Sequence, residues 1–402
     1  MTATALHRNG GLLLLMSVAT GLAVAGNYFA QPLLDVIGGE LGIGPSMAAL
    51  VVTAAQVGYA LGLILLVPLG DLLERRRLAV SLYAATAVFL LVSATAPNGT
   101  VLLISTALTG LTSVGAQVVV PFAATLADPA ERGRVVGTVM TGLMLGLLMA
   151  RTASGALSEL GGWRTVYWVS AALMTLMAVL LRIFLPRLGG DGARLSYAGL
   201  LRSTLAMYRH EPLLRWRAAI GALSLASFSV LWTALTFLLA RSPYDWTESA
   251  IGLFGLVGAV GALTATVAGR LADRGHVQRV TGVGTVLLVA SWTALAAGAN
   301  SLLWLLVGVI VLDLAHQAVL NSSQNILYAL RPEARNRINS AFLTAFFAGG
   351  AVGSALASVV WVYGGWTGVC VLGAILSAGT VVLWVLERAT VDRAAAKIPL
   401  PR

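Results

Sequence analysis

Two side chains stand out by where their charges fall. The chain carries 16 acidic and 26 basic residues, and nearly all of them lie in short polar stretches or at the ends of apolar ones. One acid, Asp313, and one base, Arg151, sit well inside long apolar runs. An ionised Asp or Arg at the centre of a membrane helix costs roughly 2.5–3.5 kcal/mol on insertion scales, so groups kept there are functional candidates by default. Desolvation favours the neutral carboxyl, whereas a nearby guanidinium favours the carboxylate. A carboxyl wetted from alternate sides would therefore load and release a proton. Arg151 would bias the charge of Asp313 or meet an anionic group on a bound molecule; a purely structural Asp–Arg or Asp–backbone pair is the competing reading. His316 follows Asp313 by three residues on the same helical face. Its ordinary pKa near 6.5 suits it to share that proton, or it serves only as a hydrogen-bonded packing residue. Asp313, His316 and the single cysteine, Cys370, are too few for a metal site.

The elements that would hold these groups follow from composition. Of 402 residues, 58% are hydrophobic and 10% charged, and 44 are glycine. Soluble domains are about 25% charged, so a soluble globule of this composition lacks a coat. Disulfide scaffolds, collagen and disordered chains are excluded by the cysteine count, the absence of a Gly-X-Y period and the apolar content. Apolar runs bounded by charges or turn residues occur near 11–34, 47–69, 78–96, 100–124, 135–157, 165–185, 218–240, 249–268, 280–298, 302–329, 338–362 and 366–386. Each is about the 20 residues that span a bilayer as a helix, and all are too long for porin-like strands.

Placing the N-terminus in the cytoplasm and alternating sides puts 23 of the 26 basic residues inside, with Arg164 and Arg241 outside and Arg151 within a span. That asymmetry is the positive-inside rule. The net charge of +10 thus reads as topology and attraction to anionic lipid, not as a nucleic-acid footprint. The expected fold is an all-α polytopic membrane protein with 12 transmembrane helices and both termini cytoplasmic.

The chain also reads as a duplication. Asp71 is matched by Asp273, Pro129-Ala130-Glu131-Arg132 by Pro332-Glu333-Ala334-Arg335, and Gly161-Gly162-Trp163 by Gly364-Gly365-Trp366, all at an offset of 202–203. Three features in one register indicate two parallel six-helix repeats. The division is 1–185 for the first bundle, 186–217 for a basic cytoplasmic linker loop, and 218–402 for the second bundle with a short cytoplasmic tail. The cleft between the bundles is the natural place for a substrate.

These residues resemble the major facilitator superfamily. Gly269-Arg270-Leu271-Ala272-Asp273-Arg274-Gly275 closely matches that family's cytoplasmic loop signature, and Pro68-Leu69-Gly70-Asp71 with Arg75-Arg76-Arg77 is a partial first copy. Gly137, Gly146, Ala150-Arg151 and Ser154-Gly155 follow the spacing of the antiporter signature, with Arg151 where the family has Pro. Asn27-Tyr28-Phe29-Ala30-Gln31-Pro32 and the stretch from Asp313 to Gln324 resemble the bacterial drug:proton antiporter-like branch.

The resemblance implies a conformational latch, in which Asp71 meets Arg134 and the run Arg75, Arg76, Arg77, with Gly269, Asp273 and Arg274 as the second copy. Acids there can accept bonds from helix N-termini and neighbouring arginines. Spans 1, 4, 7 and 10 line the family's cleft. This makes Asn27, Tyr28, Gln31, Gln117, Phe228, Trp232, Gln317 and Gln324 the candidate substrate contacts, beside the coupling group Asp313, Arg151 and His316. Interhelical hydrogen bonding is the alternative for each amide.

The implied activity is secondary active transport: proton-coupled efflux of a small amphipathic organic compound by alternating access, in a bacterial cytoplasmic membrane. The alternative within transport is an importer or uniporter of a small metabolite. No Gly-x4-Gly-Lys-[Ser/Thr] loop is present, which argues against ATP-driven pumping by this chain alone. A polytopic membrane enzyme would need clustered nucleophile, base or metal groups near an interface, and Asp313 with His316 is the one pair available. No cofactor and no metal are expected; energy comes from the proton gradient. A monomer in the lipid bilayer with a small-molecule substrate is expected.

Overall fold

The computed structural model describes residues 10–128, 131–187, 196–258, 276–330 and 335–396. Secondary structure among these residues is helical. The helices are α1 (Gly10–Ala25), α2 (Leu34–Leu41), α3 (Pro45–Leu65), α4 (Arg75–Ala94), α5 (Gly99–Thr112), α6 (Gly115–Leu126) and α7 (Arg132–Gly161). They continue with α8 (Trp163–Phe184), α9 (Tyr197–His210), α10 (Pro212–Leu239), α11 (Glu248–Phe254), α12 (Val277–Ala297), α13 (Leu302–Leu330) and α14 (Arg335–Ala396).

Nine segments among the described residues are long and apolar enough to cross a membrane. One of them, Arg337–Thr390, has 54 residues; at about 1.5 Å per residue it is more than twice a hydrocarbon core of about 30 Å. It is broken at Gly365, whose φ of 52° and ψ of −149° are not helical, so it is long enough for two crossings. Shorter apolar helices lie at Gly10–Ala25 and Glu248–Val257, the latter ending where the described residues stop. The count is compatible with twelve.

Several elements differ from the run-by-run reading. The first run is interrupted after Ala25: a turn over Gly26–Ala30 and a short 3-10 turn at Gln31–Leu33, with Pro32 in it, lead into α2. Proline lacks the N–H that would continue the α1 ladder. The fourth run is divided into α5 and α6 at Ser113 and Val114. The linker region, read as a loop, contains α9, whose Leu200, Thr204 and Met207 are buried while Arg202, Leu205 and Arg209 are exposed. That i, i+4, i+7 stripe makes it an amphipathic helix.

The chain packs as two compact units. The first comprises Met1–Ser203 and Trp232–Leu256, the second Thr204–Leu231 and Val257–Arg402. Helix α10 thus contributes its earlier part to the second unit and its last turns to the first.

The duplicated Gly-Gly-Trp has a backbone cause. Gly162 has φ of 79° and Gly365 φ of 52°, a left-handed region that side chains disfavour. Each turns one helix into the next. The tryptophan that follows is then buried: Trp163 is fully so, and Trp366 donates its indole N–H to Leu295 O at 2.9 Å.

A second repeated device sets the helix packing. In the first unit α1 and α7 touch backbone to backbone: a Cβ at Gly142 would overlap Ser17, and one at Gly146 would overlap Gly21. In the second, a Cβ at Gly349 would overlap Ala222, and one at Gly353 would overlap Ala226, between α14 and α10. Lipid offers no hydrophobic drive between helices, so small residues at a spacing of four supply close van der Waals approach instead. Hydroxyl pairs complete the packing: Ser93 with Ser105 and Thr86 with Thr112, both at 2.8 Å, join α4 to α5.

Among the described residues of the second unit is an ion pair that charge position alone does not reveal. Arg217 on α10 donates from Nε and Nη2 to Glu387 Oε1 on α14 at 3.0 and 2.7 Å. Its Nη1 reaches Thr281 Oγ1 at 2.9 Å, and Nη2 also reaches Gln278 Oε1 at 2.8 Å, both on α12. Both charged side chains have zero solvent exposure. Arg217 ends the stretch read as the basic linker and Glu387 follows the last apolar run, yet the structure buries both.

Candidate functional site

In the first unit the site is built around Arg151. The residue lies on α7, is 4% exposed, and its Nε donates to Gln31 Oε1 at 2.7 Å. The guanidinium carbon is 4.0 Å from the Trp232 ring centroid and 5.0 Å from that of Tyr28. A cation over the face of an aromatic ring is attracted by its quadrupole, by about 2 kcal/mol or more when water is excluded. The break after α1 brings Tyr28 and Gln31 to this position, and Thr236 on α10 pins it by donating to Gln31 O at 2.5 Å.

Room for the arginine comes from glycine on the other side. A Cβ at Gly255 would stand 2.9 Å from Arg151 Cβ, and one at Gly252 would stand 2.6 Å from Arg151 O. Thr152 Oγ1 donates to Gly252 O at 3.1 Å, and the Ser249 N–H donates to Glu159 at 3.2 Å, fastening α11 along α7. Of the antiporter-type spacing, Gly146 and Gly155 are close-approach positions, whereas nothing lies within 4 Å of a Cβ at Gly137. Arg151 thus occupies the family's proline position as the centre of a cation–aromatic–amide cluster.

Two other candidates lie in the same unit. Gln117 donates from Nε2 to the Tyr59 hydroxyl at 3.4 Å, and Asn27 is 5% exposed. Four sequence candidates, Arg151, Tyr28, Gln31 and Trp232, therefore meet at one point. Sequence reasoning missed Thr236 and Gly255, which no motif marks.

In the second unit Asp313 and His316 lie on α13, and both are buried, at 4% and 6% exposure. His316 Nδ1 is 2.9 Å from Ser224 Oγ. Its ring stacks with Phe228 on α10 at 4.6 Å and with Phe346 on α14 at 5.6 Å. The histidine is held between rings as well as hydrogen bonded, an arrangement that gives it one orientation. Gln317 and Gln324 are half-buried on α13. Asp313, Gln317 and Asn321 recur every four residues, so they share a face. Asp313 and Arg151 belong to different units.

Of the latch candidates, Gly269, Asp273 and Arg274 lie outside the described residues, as does the side chain of Asp71. Arg75 donates to Thr125 Oγ1 at 2.9 Å, Arg76 to the Arg182 carbonyl, and Arg77 pairs with Glu74 at 2.8 Å. Arg134 is exposed and lines a groove between α1 and α7.

Long apolar helices, two compact units with a repeated helix contact, and ionisable groups buried mid-helix define a polytopic α-helical membrane protein. The chain belongs to the Major Facilitator Superfamily, whose family model matches residues 16–275 and 217–401. It is 49% identical over 373 residues to the uncharacterized transporter YgaY of Escherichia coli O157:H7, covering 93% of this chain and 94% of that one. It is 34% identical over 376 residues to a Streptomyces coelicolor protein named Probable transporter SCO4007, covering 91% and 85%. The fold matches the crystal structure of a bacterial homolog to the human lysosomal transporter Spinster, in an inward-facing and occupied conformation. The TM-score is 0.74 at 17% identity, over 96% of this chain and 97% of that one. The protein is a multi-pass membrane transporter of this superfamily, not an enzyme.

Proposed function

We propose that the protein is a proton-coupled exporter of a small amphipathic organic compound, driven by the proton gradient across a bacterial cytoplasmic membrane. The observation that carries this reading is the pair of ionisable groups retained within the spans, Asp313 and Arg151, each buried at 4% exposure. A carboxyl is affordable there if it cycles between a neutral, proton-loaded form and an ionised form, which is the chemistry of a coupling site. Arg151, clasped by Tyr28, Trp232 and Gln31, is a fixed cation beside aromatic faces. Such a surface suits a flat or apolar molecule carrying a hydrogen-bonding or anionic group. His316 sets the position of α13 through its rings and Ser224, and shares the Asp313 proton. Gln117, Gln317, Gln324, Asn27 and Phe228 complete the substrate contacts. Asp71 with Arg75, Arg76, Arg77 and Arg134, and Gly269, Asp273 and Arg274, form the conformational latch. The protein works as a monomer, without cofactor, metal or nucleic acid.

The test is transport by purified protein in liposomes under an imposed pH gradient, read with a panel of amphipathic compounds. Asp313→Asn should abolish gradient-driven flux while leaving counterflow exchange of the same compound. Flux that still follows the gradient sinks the coupling assignment. Accumulation in everted vesicles identifies export; accumulation only in right-side-out vesicles identifies the importer.

A further inference from the structure

The duplication and the packing divide the chain differently at one stretch. By the duplication the second bundle begins at 218, yet Trp232–Leu256 packs with the first unit. Its counterpart in the first repeat, 30–54 at the offset of 202, stays with its own unit. The stretch holds the last turns of α10, a loop over 240–247, and α11. It is braced as one piece: the Trp246 N–H donates to Leu239 O at 2.8 Å, and Trp246 stands edge to face against Tyr244 and Phe254, with ring centroids 5.9 and 5.6 Å apart.

Its fastenings to the first repeat run along α7. That helix begins with Arg132 and Arg134, so its far end, around Glu159, lies on the outer side by the positive-inside rule. There the Glu159 carboxylate accepts the Ser249 N–H at 3.2 Å and the Thr247 hydroxyl, while Thr247 accepts the Ala250 N–H as the N-cap of α11. One to two turns further in, a Cβ at Gly155 would overlap Glu248 O, and Thr152 donates to Gly252 O at 3.1 Å. Deepest are Gly255 and Trp232, against Arg151. From 151 to 159 is about 12 Å of helix at 1.5 Å per residue. Glu159 is exposed and Arg151 buried, so water meets this seam at the carboxylate first.

Such a seam can part and close again. Glycine against backbone leaves no side-chain knob to withdraw, because close approach alone holds such helices together in lipid. An exposed hydrogen bond exchanges for water and adds only modestly to stability. We propose that Trp232–Leu256 is the outer gate over Arg151 and that Glu159 is the residue that fastens it. When Glu159 releases Thr247 and Ser249, the braced hairpin leaves α7 and Arg151 opens to the outer side. The N–H groups of the first turn of α11 have no helical partners, so they take up the carboxylate again on return. Glu159 is thus a positioning residue: it acts through α11 and touches no transported compound. The inference rests on Arg151 being part of the transport site, and needs neither Asp313 nor a direction of transport.

Nitroxide labels at Leu160→Cys and Leu253→Cys, both exposed positions, in a Cys370→Ala background, report the seam directly. Their separation is measured by double electron–electron resonance on the full-length protein in nanodiscs, with no transported compound. The parent should show one dominant short separation. Glu159→Ala should add a longer one, raising the ratio of open to closed by about tenfold, the worth of one hydrogen bond to a charged group. Glu159→Gln keeps an acceptor for the Ser249 N–H and should fall between; it carries the test if the alanine variant does not fold. Thr247→Ala should act in the same direction as Glu159→Ala. Unchanged distances in all three variants overturn the proposal. So does an equal lengthening on Glu40→Ala, which pairs with Arg164 on α8 instead. Because no compound is transported, failure of the Arg151 reading leaves these distances as they are, and the two failures can be told apart.

Discussion

Glu387→Gln removes one charge from a pair with no solvent exposure and leaves Arg217 in place. Arg217 keeps its bonds to Thr281 and Gln278 but loses the anion that received Nε and Nη2 at 3.0 and 2.7 Å. Breaking a buried pair from one side costs about 3–5 kcal/mol, because the remaining charge stays desolvated and uncompensated. The amide oxygen of Gln can still accept a bond, so the loss should fall near the lower end, about 3 kcal/mol. Arg217→Met leaves Glu387 as the orphan and should cost a similar amount. The double variant Arg217→Met with Glu387→Leu removes both desolvation penalties and should lie within about 1 kcal/mol of the parent. The measurement is a double-mutant cycle on reversible denaturant unfolding of the purified protein in detergent. If either single change costs under about 1 kcal/mol, or the double change costs the sum of the singles, the pair is not the closed electrostatic unit its geometry describes.

Gly146→Leu should destabilise the first unit severely or prevent its folding, because backbone is the obstacle there, whereas Gly137→Leu should shift stability by less than about 1 kcal/mol. Expression and melting of the two variants separate the signature spacing from the contact that uses it. Gly255→Val should displace Arg151 from Trp232, read as a change in tryptophan fluorescence together with lost transport; unchanged fluorescence would refute the clasp. Burial pushes the Tyr208 phenol up to about 12 from its ordinary 10, and its hydroxyl donates to Ala341 O at 2.6 Å. The folded state therefore favours the neutral phenol. Its contribution is full below pH 10 and declines as pH rises through 12. Tyr208→Phe should melt lower than the parent at pH 8, by about 1 kcal/mol, and the gap should close at pH 11–12.

The crossings were legible because a span is a property of composition, and twenty apolar residues between charges have one solution in a bilayer. The Gly-Gly-Trp repeat was legible as a repeat, though its reason, a positive φ at Gly162 and Gly365, is visible only in the backbone. Arg151 stands out because a charge inside an apolar run is conspicuous, whereas Tyr28, Gln31 and Trp232 become candidates only through the family resemblance. That Tyr28, Gln31 and Trp232 all face it depends on the break after α1 and on the placement of α10, which spacing does not encode. Arg217 and Glu387 escaped notice for the opposite reason. At the ends of spans they look like the arginines and acids of ordinary topology, and only packing against α12 reveals that they are dry. Gly142 was overlooked and Gly137 singled out because a signature fixes spacing along a helix but not which of its faces meets another backbone.

The contact between α1 and α7 also carries a timing requirement. Ser17 donates to Thr138 O at 3.2 Å, a separation of 121 residues, beside the Gly142 and Gly146 approach. At about 5–20 residues per second, ribosomal synthesis delivers the partner some 6–24 s after the first helix. During that interval the face of α1 that carries Ser17 and Gly21 lacks the partner it meets in the folded unit. Ser17 also bonds to Leu13 O at 3.0 Å within its own helix, so its hydroxyl has an acceptor before its final neighbour exists. The small-residue face is thus suited to waiting as well as to packing. The second repeat, in which Ala222 and Ala226 precede Gly349 and Gly353 by a similar length of chain, faces the same delay with alanines that leave no polar group to satisfy.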